Sequence, residues 1–571
     1  MVWAFGFEGT IRVSIRILLI LAMGFLSVGE ARAQDRTQGR SVVMSRGGIV
    51  AAESPLAAQA GAAILARGGN AVDAAVATNA VMGVVAPMMN GMGGDLFAIV
   101  YDVRTGKLYG LNASGWAPAS LTIEVLKSRG IEKMPGGGIQ SVTVPGAVDG
   151  WSKLLDRFGR KKFSEVLAPA IHYAAEGFPV SERTAVDWDE DAATVRNDSN
   201  AAKTYFPNGR APGAGDVYRN RDLANSLEKV AAGGRDAYYK GEIARAIVET
   251  SKRLGGTMTL DDLAEYSSES VEPISTTYRE WTVYEIPPNG QGIAALEMLN
   301  LMERFPLADS APGSADSLHI MIEAKKLAYA DLLRYIGDPK FSRIPVAELL
   351  SKRYSGIRVS EIDSAHASCA AKAGIPPPAG GDTTYLSVVD AEGNMVSLIQ
   401  SNYSLFGSGI VADGTGFVLQ NRGALFSLDP ASPNALAGHK RPLHTIIPGF
   451  MARGDERIAF GIMGGFNQAQ AHAQFVANIA DYKMNIQAAL EAPSFTKYTF
   501  DGCDVAMEDR IAESARKDLE SRGHKLEMRH GFSSVFGGGQ AVRRDFKTGV
   551  NFGASDPRKD GEAVPEPPPL H

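Results

Sequence analysis

A Pro- and Gly-rich stretch, AKAGIPPPAGGD at residues 371–382, divides the chain into two unlike parts. It holds few large apolar side chains, so it reads as an exposed linker rather than as part of a core. Upstream, residues 56–67 are Ala-rich with apolar recurrence and predict a helix. GGN at 68–70 breaks it, and residues 71–85 resume as a helix so apolar all round that it must be buried. Residues 91–94 form a glycine turn and 96–101 predict a strand. Residues 145–340 read as mostly helical, with helices at 147–158, 163–176 and 317–333. Downstream, β-branched and aromatic residues at 384–389, the turn Ala391-Glu392-Gly393-Asn394 and a second run at 395–400 predict a hairpin. Further strands are expected at 416–419 and 458–462. The tail from Glu562, ending PEPPPLH, reads as disordered.

The length of 571 residues allows several domains or one large sandwich. With 45% hydrophobic and 21% charged residues the composition is that of a globular protein. A net charge of −6 without a basic stripe points away from a nucleic-acid partner. Arg12 and Arg16 precede an apolar run at 17–26, and Ala31-Arg32-Ala33 follows. That order predicts a signal peptide over 1–33, a mature chain from about Gln34 and a periplasmic or secreted protein. The run is short for a bilayer span, and no later segment has eighteen unbroken apolar residues, so no permanent membrane anchor is expected. Export permits a disulfide, but sequence does not give the separation of Cys369 and Cys503. Two distant cysteines in a chain this large read as unpaired.

Common catalytic signatures are missing: HExxH, CxxC, GxxxxGK[ST] and GxSxG do not occur. His439 and His444 are a weak metal pair without supporting ligands, and neither a metal nor another cofactor is expected. What stands out is the junction GGD-TTYLSVVD, where the linker ends at Thr383. A mid-chain threonine hydroxyl is a poor nucleophile, whereas a terminal threonine has its own α-amine as base. That amine titrates at about 7.7–8.0, close to working pH. The same hydroxyl could attack the Asp382 carbonyl and cut the chain, with Gly380 and Gly381 allowing a strained turn. The plain alternative is a strand beginning with a residue that favours strands.

Ten ordered segments bear on this choice. They include GGNAVDAAVATNAV at 68–81, GMGGDLFAIVYD at 91–102, SVTVPGAVDGW at 141–151 and PPNGQGIAALEMLN at 287–300. TTYLSVVDAEGN at 383–394, GHKRPLHTIIPG at 438–449, GIMGGFNQ at 461–468 and GASDPRKDG at 553–561 belong to the same set. Through them the chain resembles the gamma-glutamyltransferase family along nearly all of its mature length. The resemblance implies an α+β fold, the four-layer αββα sandwich of N-terminal-nucleophile hydrolases. It implies a precursor that splits into a large subunit, 34–382, and a small subunit, 383–571, which stay together as a heterodimer. It further implies Thr383 as nucleophile, Ser401 as support for the catalytic amine, and the Gly464 and Gly465 N–H groups as an oxyanion hole. Thr384 either helps position the nucleophile or faces the other side of its strand.

The expected γ-glutamyl pocket is rebuilt. Ser114 stands where family members carry a carboxylate-binding Arg, and Tyr403, Arg422 and Leu425 stand where they bind the α-amino group. His444-Thr445 replaces a Ser-Ser pair, and the segment after Ser427 is about ten residues shorter than in members with a lid. These changes remove charge-assisted bonds to a γ-glutamyl group. QNRGALFSLDPASPN and KRPLHTIIPG resemble the lid-less, acylase-like branch, which implies a small-molecule amide whose acyl part ends in a carboxylate. Arg422 either grips that carboxylate, with Tyr403, His444, Thr445 and Ser114 around it, or pairs with a nearby acid. A true glutathione hydrolase or transferase, and an uncleaved periplasmic binding protein, are the competing readings.

Overall fold

The computed structural model describes Met1 and residues 38–369, 382–497, 499–500 and 502–569. Its strands build two seven-stranded antiparallel sheets. In the first the order is Glu562–Pro565, Ile49–Ala52, Asp382–Val389, Met395–Tyr403, Asp95–Asp102, Lys107–Ala113 and Glu269–Val271. In the second it is Val43–Ser45, Val550–Ser555, Gly539–Asp545, Glu456–Ile462, Gly449–Arg453, Trp281–Glu285 and Ile274–Tyr278.

Alternation along the strands sorts their side chains into three apolar layers. Ile49, Ala51, Phe97, Ile99, Tyr385, Val389 and Ile399 meet Phe450, Ala459 and Val542 between the sheets. Residues of the other parity, among them Val50, Leu96, Ala98, Leu386, Val388 and Leu398, pack with the helices Pro55–Ala66, Ala71–Val85 and Ala147–Phe158. Val283, Met451, Ile458 and Phe460 of the second sheet pack with Gly292–Met302, Ala315–Tyr335 and Gln468–Ala480. The result is the four-layer αββα sandwich. The sheets approach closely at Gly461, where a Cβ would lie 2.5 Å from the Tyr385 ring. Tyr385 Oη is 2.7 Å from Ser397 Oγ, which donates across the gap to the Phe460 carbonyl at 3.4 Å.

Several sequence expectations change. Glu562–Pro565 is a strand, paired with Ile49–Ala52, and not a disordered tail, because a distant apolar edge supplies its hydrogen bonds. Residues 416–419 give only an isolated bridge, Val411 to Val418. Side chains of the helix Arg221–Tyr239 and its cap intervene there: Asn220 Nδ2 takes the Gly416 carbonyl and Ser226 Oγ the Thr415 carbonyl. Three strands between Glu269 and Glu285 interrupt the stretch read as helical, with Trp281, Val283 and Glu285 buried in alternation. Cys369 and Cys503 are joined in a disulfide, their Cα atoms 4.9 Å apart, a proximity that no spacing along the chain encodes. The signal expected at 1–33, Met1 aside, and Gly380 and Gly381 of the linker lie outside the described residues. No helix among the described residues is long and apolar enough to cross a membrane.

All fifteen residues of the helix Ala71–Val85 are buried, so its first turn cannot rely on water. Asn70 accepts from the Val72 and Asp73 N–H groups, and Asp73 accepts from the Asn70 N–H in return. The Asp73 carboxylate also takes the N–H groups of Arg160 and Lys161, tying the helix to a distant loop. Asp73→Ala should therefore orphan three backbone donors and lower unfolding free energy by about 2–4 kcal/mol, read from the urea midpoint, with Asp73→Asn losing less.

Candidate active site

The strand Asp382–Val389 pairs with Met395–Tyr403 in a register that shifts by one residue between Asp382 and Thr384. The extra residue lies on the second strand, where Ser401 and Asn402 together oppose Thr383, a bulge that bends the chain beside the threonine. Its Oγ1 donates to Ser401 Oγ at 3.1 Å, and both side chains are buried. Ser401 Oγ also accepts the Tyr403 N–H at 2.7 Å. That bond holds Tyr403 at φ 80°, a left-handed conformation rare for an aromatic residue. Asn421 secures the same bend by accepting from the Ser404 N–H and donating to Ser404 Oγ.

Directly across the sheet from Ser401 lies Asp95, fully buried. One of its oxygens accepts from Gly115 N and Gln420 Nε2, at 2.9 and 2.8 Å. The other accepts from His444 Nε2 at 2.6 Å and Arg422 Nε at 3.3 Å. Arg422 donates through Nη1 to Thr445 Oγ1 at 2.6 Å, and its guanidinium lies 4.6 Å from the Tyr403 ring centroid. Two buried donor groups, Arg422 Nη2 and Tyr403 Oη, and one acceptor, Gln420 Oε1, have no hydrogen-bond partner among the described residues. Burial pushes the Tyr403 phenol up to about 12, so it stays a donor, and lowers the Arg422 guanidinium from its ordinary value.

His444 is fixed as a neutral ring. The Ile446 N–H donates to its Nδ1 at 3.3 Å, which leaves the proton on Nε2 facing Asp95. Phe97 packs against it, with ring centroids 4.7 Å apart. The loop after the strand Glu456–Ile462 approaches the same cluster. Gly464 and Gly465 have φ of 126° and 56°, conformations that a side chain resists. Gln291 Nε2 donates to the carbonyls of both Thr445 and Gly465, fastening that loop beside the Arg422 partner. Phe466 then packs on Tyr403, Ala424 and Leu425.

Thr383, Ser401, Tyr403, Arg422, His444, Thr445, Gly464 and Gly465 thus fall into one connected neighbourhood. Ser114 stands behind it, its hydroxyl donating to Asn112 Oδ1 at 2.7 Å, so it does not share the Arg422 contacts. Thr384 has the parity of Leu386 and Val388 and faces the helical layer; its hydroxyl has no partner among the described residues. Of the two readings of Arg422, the ion pair is present, and one guanidinium nitrogen still remains unused. Sequence reasoning missed Asp95 and Gln291. The signal for Asp95 was a carboxylate opening an apolar strand, which needs several partners once buried. His439 lies apart from His444, on Asp262 and Trp116. Among the described residues His319, Glu323 and His524 bring potential metal ligands together. In that group Lys326 Nζ is 2.7 Å from Glu323 and the two imidazoles are hydrogen-bonded at 2.8 Å, while His524 Nδ1 is buried without a hydrogen-bond partner among the described residues.

Burial, reinforced by the Arg422 charge, holds His444 down to about 4. The unfolded chain, with an ordinary imidazole near 6.5, takes up a proton as pH falls that the folded chain refuses. The stability contributed by neutral His444 is therefore complete above the unfolded value and lost as pH drops towards the folded one. Acidification through this window should lower the urea midpoint more in the wild type than in His444→Gln.

Similarity to known proteins agrees with this geometry. The gamma-glutamyltranspeptidase family model matches residues 57–566. The glutathione hydrolase-like YwrD proenzyme of Bacillus subtilis is 36% identical, covering 89% of this chain and 96% of its own. The oxamate amidohydrolase proenzyme of Klebsiella pneumoniae is 34% identical, covering 91% and 99%. The crystal structure of cephalosporin acylase from Bacillus halodurans superposes with a TM-score of 0.87 at 42% identity, over 94% of this chain and 99% of that one. The chain belongs to the gamma-glutamyltranspeptidase family and is an enzyme of the N-terminal-nucleophile hydrolase type.

Proposed function

We propose that the protein cuts itself between Asp382 and Thr383 and then hydrolyses amides whose acyl part ends in a carboxylate. The observation that carries this reading is the contact of Thr383 Oγ1 with Ser401 Oγ at a bulge beside the scissile bond. In self-cleavage, Oγ1 attacks the Asp382 carbonyl carbon, the amide C–N bond breaks and an ester forms on Thr383. Water then hydrolyses the ester, leaving Asp382 as a new carboxyl terminus and Thr383 with a free α-amine. Thr383 is 1% exposed in the uncut chain, which suits a precursor whose hydroxyl meets no outside amide. The fragments would be 34–382 and 383–571, exported by the signal at 1–33.

In the mature enzyme the Thr383 amine takes the Oγ1 proton as Oγ1 attacks the substrate carbonyl. Ser401 orients that amine and hydroxyl, and the Gly464 and Gly465 N–H groups stabilise the oxyanion. The amine returns its proton to the leaving nitrogen, and water releases the acyl group from Thr383. Arg422 Nη2 and Tyr403 Oη, both donors without partners among the described residues, would receive the acyl carboxylate. A γ-glutamyl substrate would bring an α-ammonium group instead. Asp95, the acid that meets this cluster, already has both oxygens engaged, so it has little left for an ammonium. The cephalosporin acylase and oxamate amidohydrolase names among the relatives support the acylase-like reading.

Thr383→Ala should remain one polypeptide on a denaturing gel and lose amidase activity by at least roughly a thousandfold. A wild-type chain that stays uncut, or cuts elsewhere than before TTYLSVVD, sinks the proposal. With cleaved enzyme and matched acyl-anilides, Arg422→Met should cut kcat/KM for the carboxylate-ended acyl group about a hundredfold, with a much smaller loss for its neutral amide counterpart. Preference for a γ-glutamyl anilide over a glutaryl one would instead select the glutathione hydrolase reading.

A further inference from the structure

The disulfide joins residues on opposite sides of the proposed cut: Cys369 lies upstream of Thr383 and Cys503 downstream. Resting on that self-cleavage, we infer that Cys369–Cys503 is a covalent bond between the two fragments of the mature enzyme, and that it anchors the end of the large fragment on the small one. Before the cut the bond closes a loop spanning 134 residues. After it the loop is open, and the same bond becomes an inter-chain tether.

The surroundings are built for such an anchor. The Ala367 N–H donates to the Arg522 carbonyl at 2.8 Å, and Arg522 Nη1 donates to the Ser364 carbonyl at 3.2 Å. Ser368 sits over a buried ion pair: its N–H donates to Glu323 Oε2 at 3.2 Å, and its carbonyl accepts Lys326 Nζ at 2.9 Å. Lys326 Nζ is also 3.9 Å from Cys503 Sγ. On the small-fragment side, the Cys503 carbonyl accepts the Lys525 N–H at 2.8 Å, within the sheet formed by Asp504–Glu508 and Lys525–Arg529. The segment 364–369 thus closes over Glu323 and Lys326 of the helix Ala315–Tyr335, and the disulfide fixes its end.

Forming the bond removes two protons and two electrons from the two thiols. A disulfide-bearing oxidant accepts them by thiol–disulfide exchange, in the oxidising compartment that export provides. Reduction runs the other way. Cys369 is exposed and Cys503 buried, so a reducing thiolate attacks Cys369 Sγ and Cys503 leaves as a thiolate beside the Lys326 ammonium. A second thiol of the reductant then frees Cys369, and the reductant ends as its own disulfide.

The test uses full-length wild-type protein, exported and alkylated before denaturation so that no exchange follows. On a denaturing gel the unreduced sample should run as one species of the mature chain's mass, and dithiothreitol should resolve it into the two fragments. Cys369→Ser should yield the two fragments without reductant. Two fragments from the unreduced wild type would overturn the tether and leave the cleavage intact. One species in both lanes would overturn the cleavage itself. Limited glutathione should leave its first adduct on the Cys369 peptide; a first adduct on Cys503 would overturn the assigned order of attack.

Discussion

Asp95 is the point on which the neighbourhood of Thr383 is organised. A carboxylate stripped of water is stable only when its oxygens are filled, and four donors from separate parts of the chain fill these two. Each donor fixes something else. Arg422 brings Thr445 and lies over Tyr403, and His444 is set in one tautomer against Phe97. Gln420 and Gly115 hold the backbone behind them. Because Asp95 faces Ser401 across the sheet, this arrangement is placed in direct register with the Thr383 hydroxyl. Removing Arg422 would leave the buried Asp95 charge without its cation, a cost of about 3–5 kcal/mol.

Much of this was legible in the sequence, for identifiable reasons. The buried helix at 71–85, the helices at 147–158 and 163–176 and the hairpin after Thr383 carry strong local periodicity, and they are where expected. The strands between Glu269 and Glu285 were hidden because they are short and flanked by helices, although Trp281, Val283 and Glu285 alternate. The strand at Glu562 and the disulfide were illegible for a different reason. Each depends on a partner more than a hundred residues away, and local composition carries no trace of it. Family motifs pointed to Thr383, Ser401 and the glycine pair as candidates. They did not reveal that Arg422 is shared between an acid, a hydroxyl and an aromatic face, because that is a property of packing.

The proposed cut falls within a sheet built from strands on both sides of it. Ile49–Ala52, Asp95–Asp102 and Lys107–Ala113 come from before Thr383; Met395–Tyr403 and Glu562–Pro565 come from after it. The strand Asp382–Val389 itself lies between Ile49–Ala52 and Met395–Tyr403. Separating the two halves would break ladders in both sheets and open all three apolar layers. Backbone continuity is therefore not what holds the sandwich together, and a bond in its middle can be spent on chemistry.

The last strand has a consequence of its own. Glu562–Pro565 is the outermost member of its sheet, and it covers Ile49–Ala52, four residues that are wholly buried. Without it, that apolar ribbon would present a row of unsatisfied amides and carbonyls to any passing chain, the template on which β-structure spreads from molecule to molecule. A final segment that resembles a dispensable extension is thus a guard against aggregation, and engineered additions to this end of the protein belong beyond Pro565.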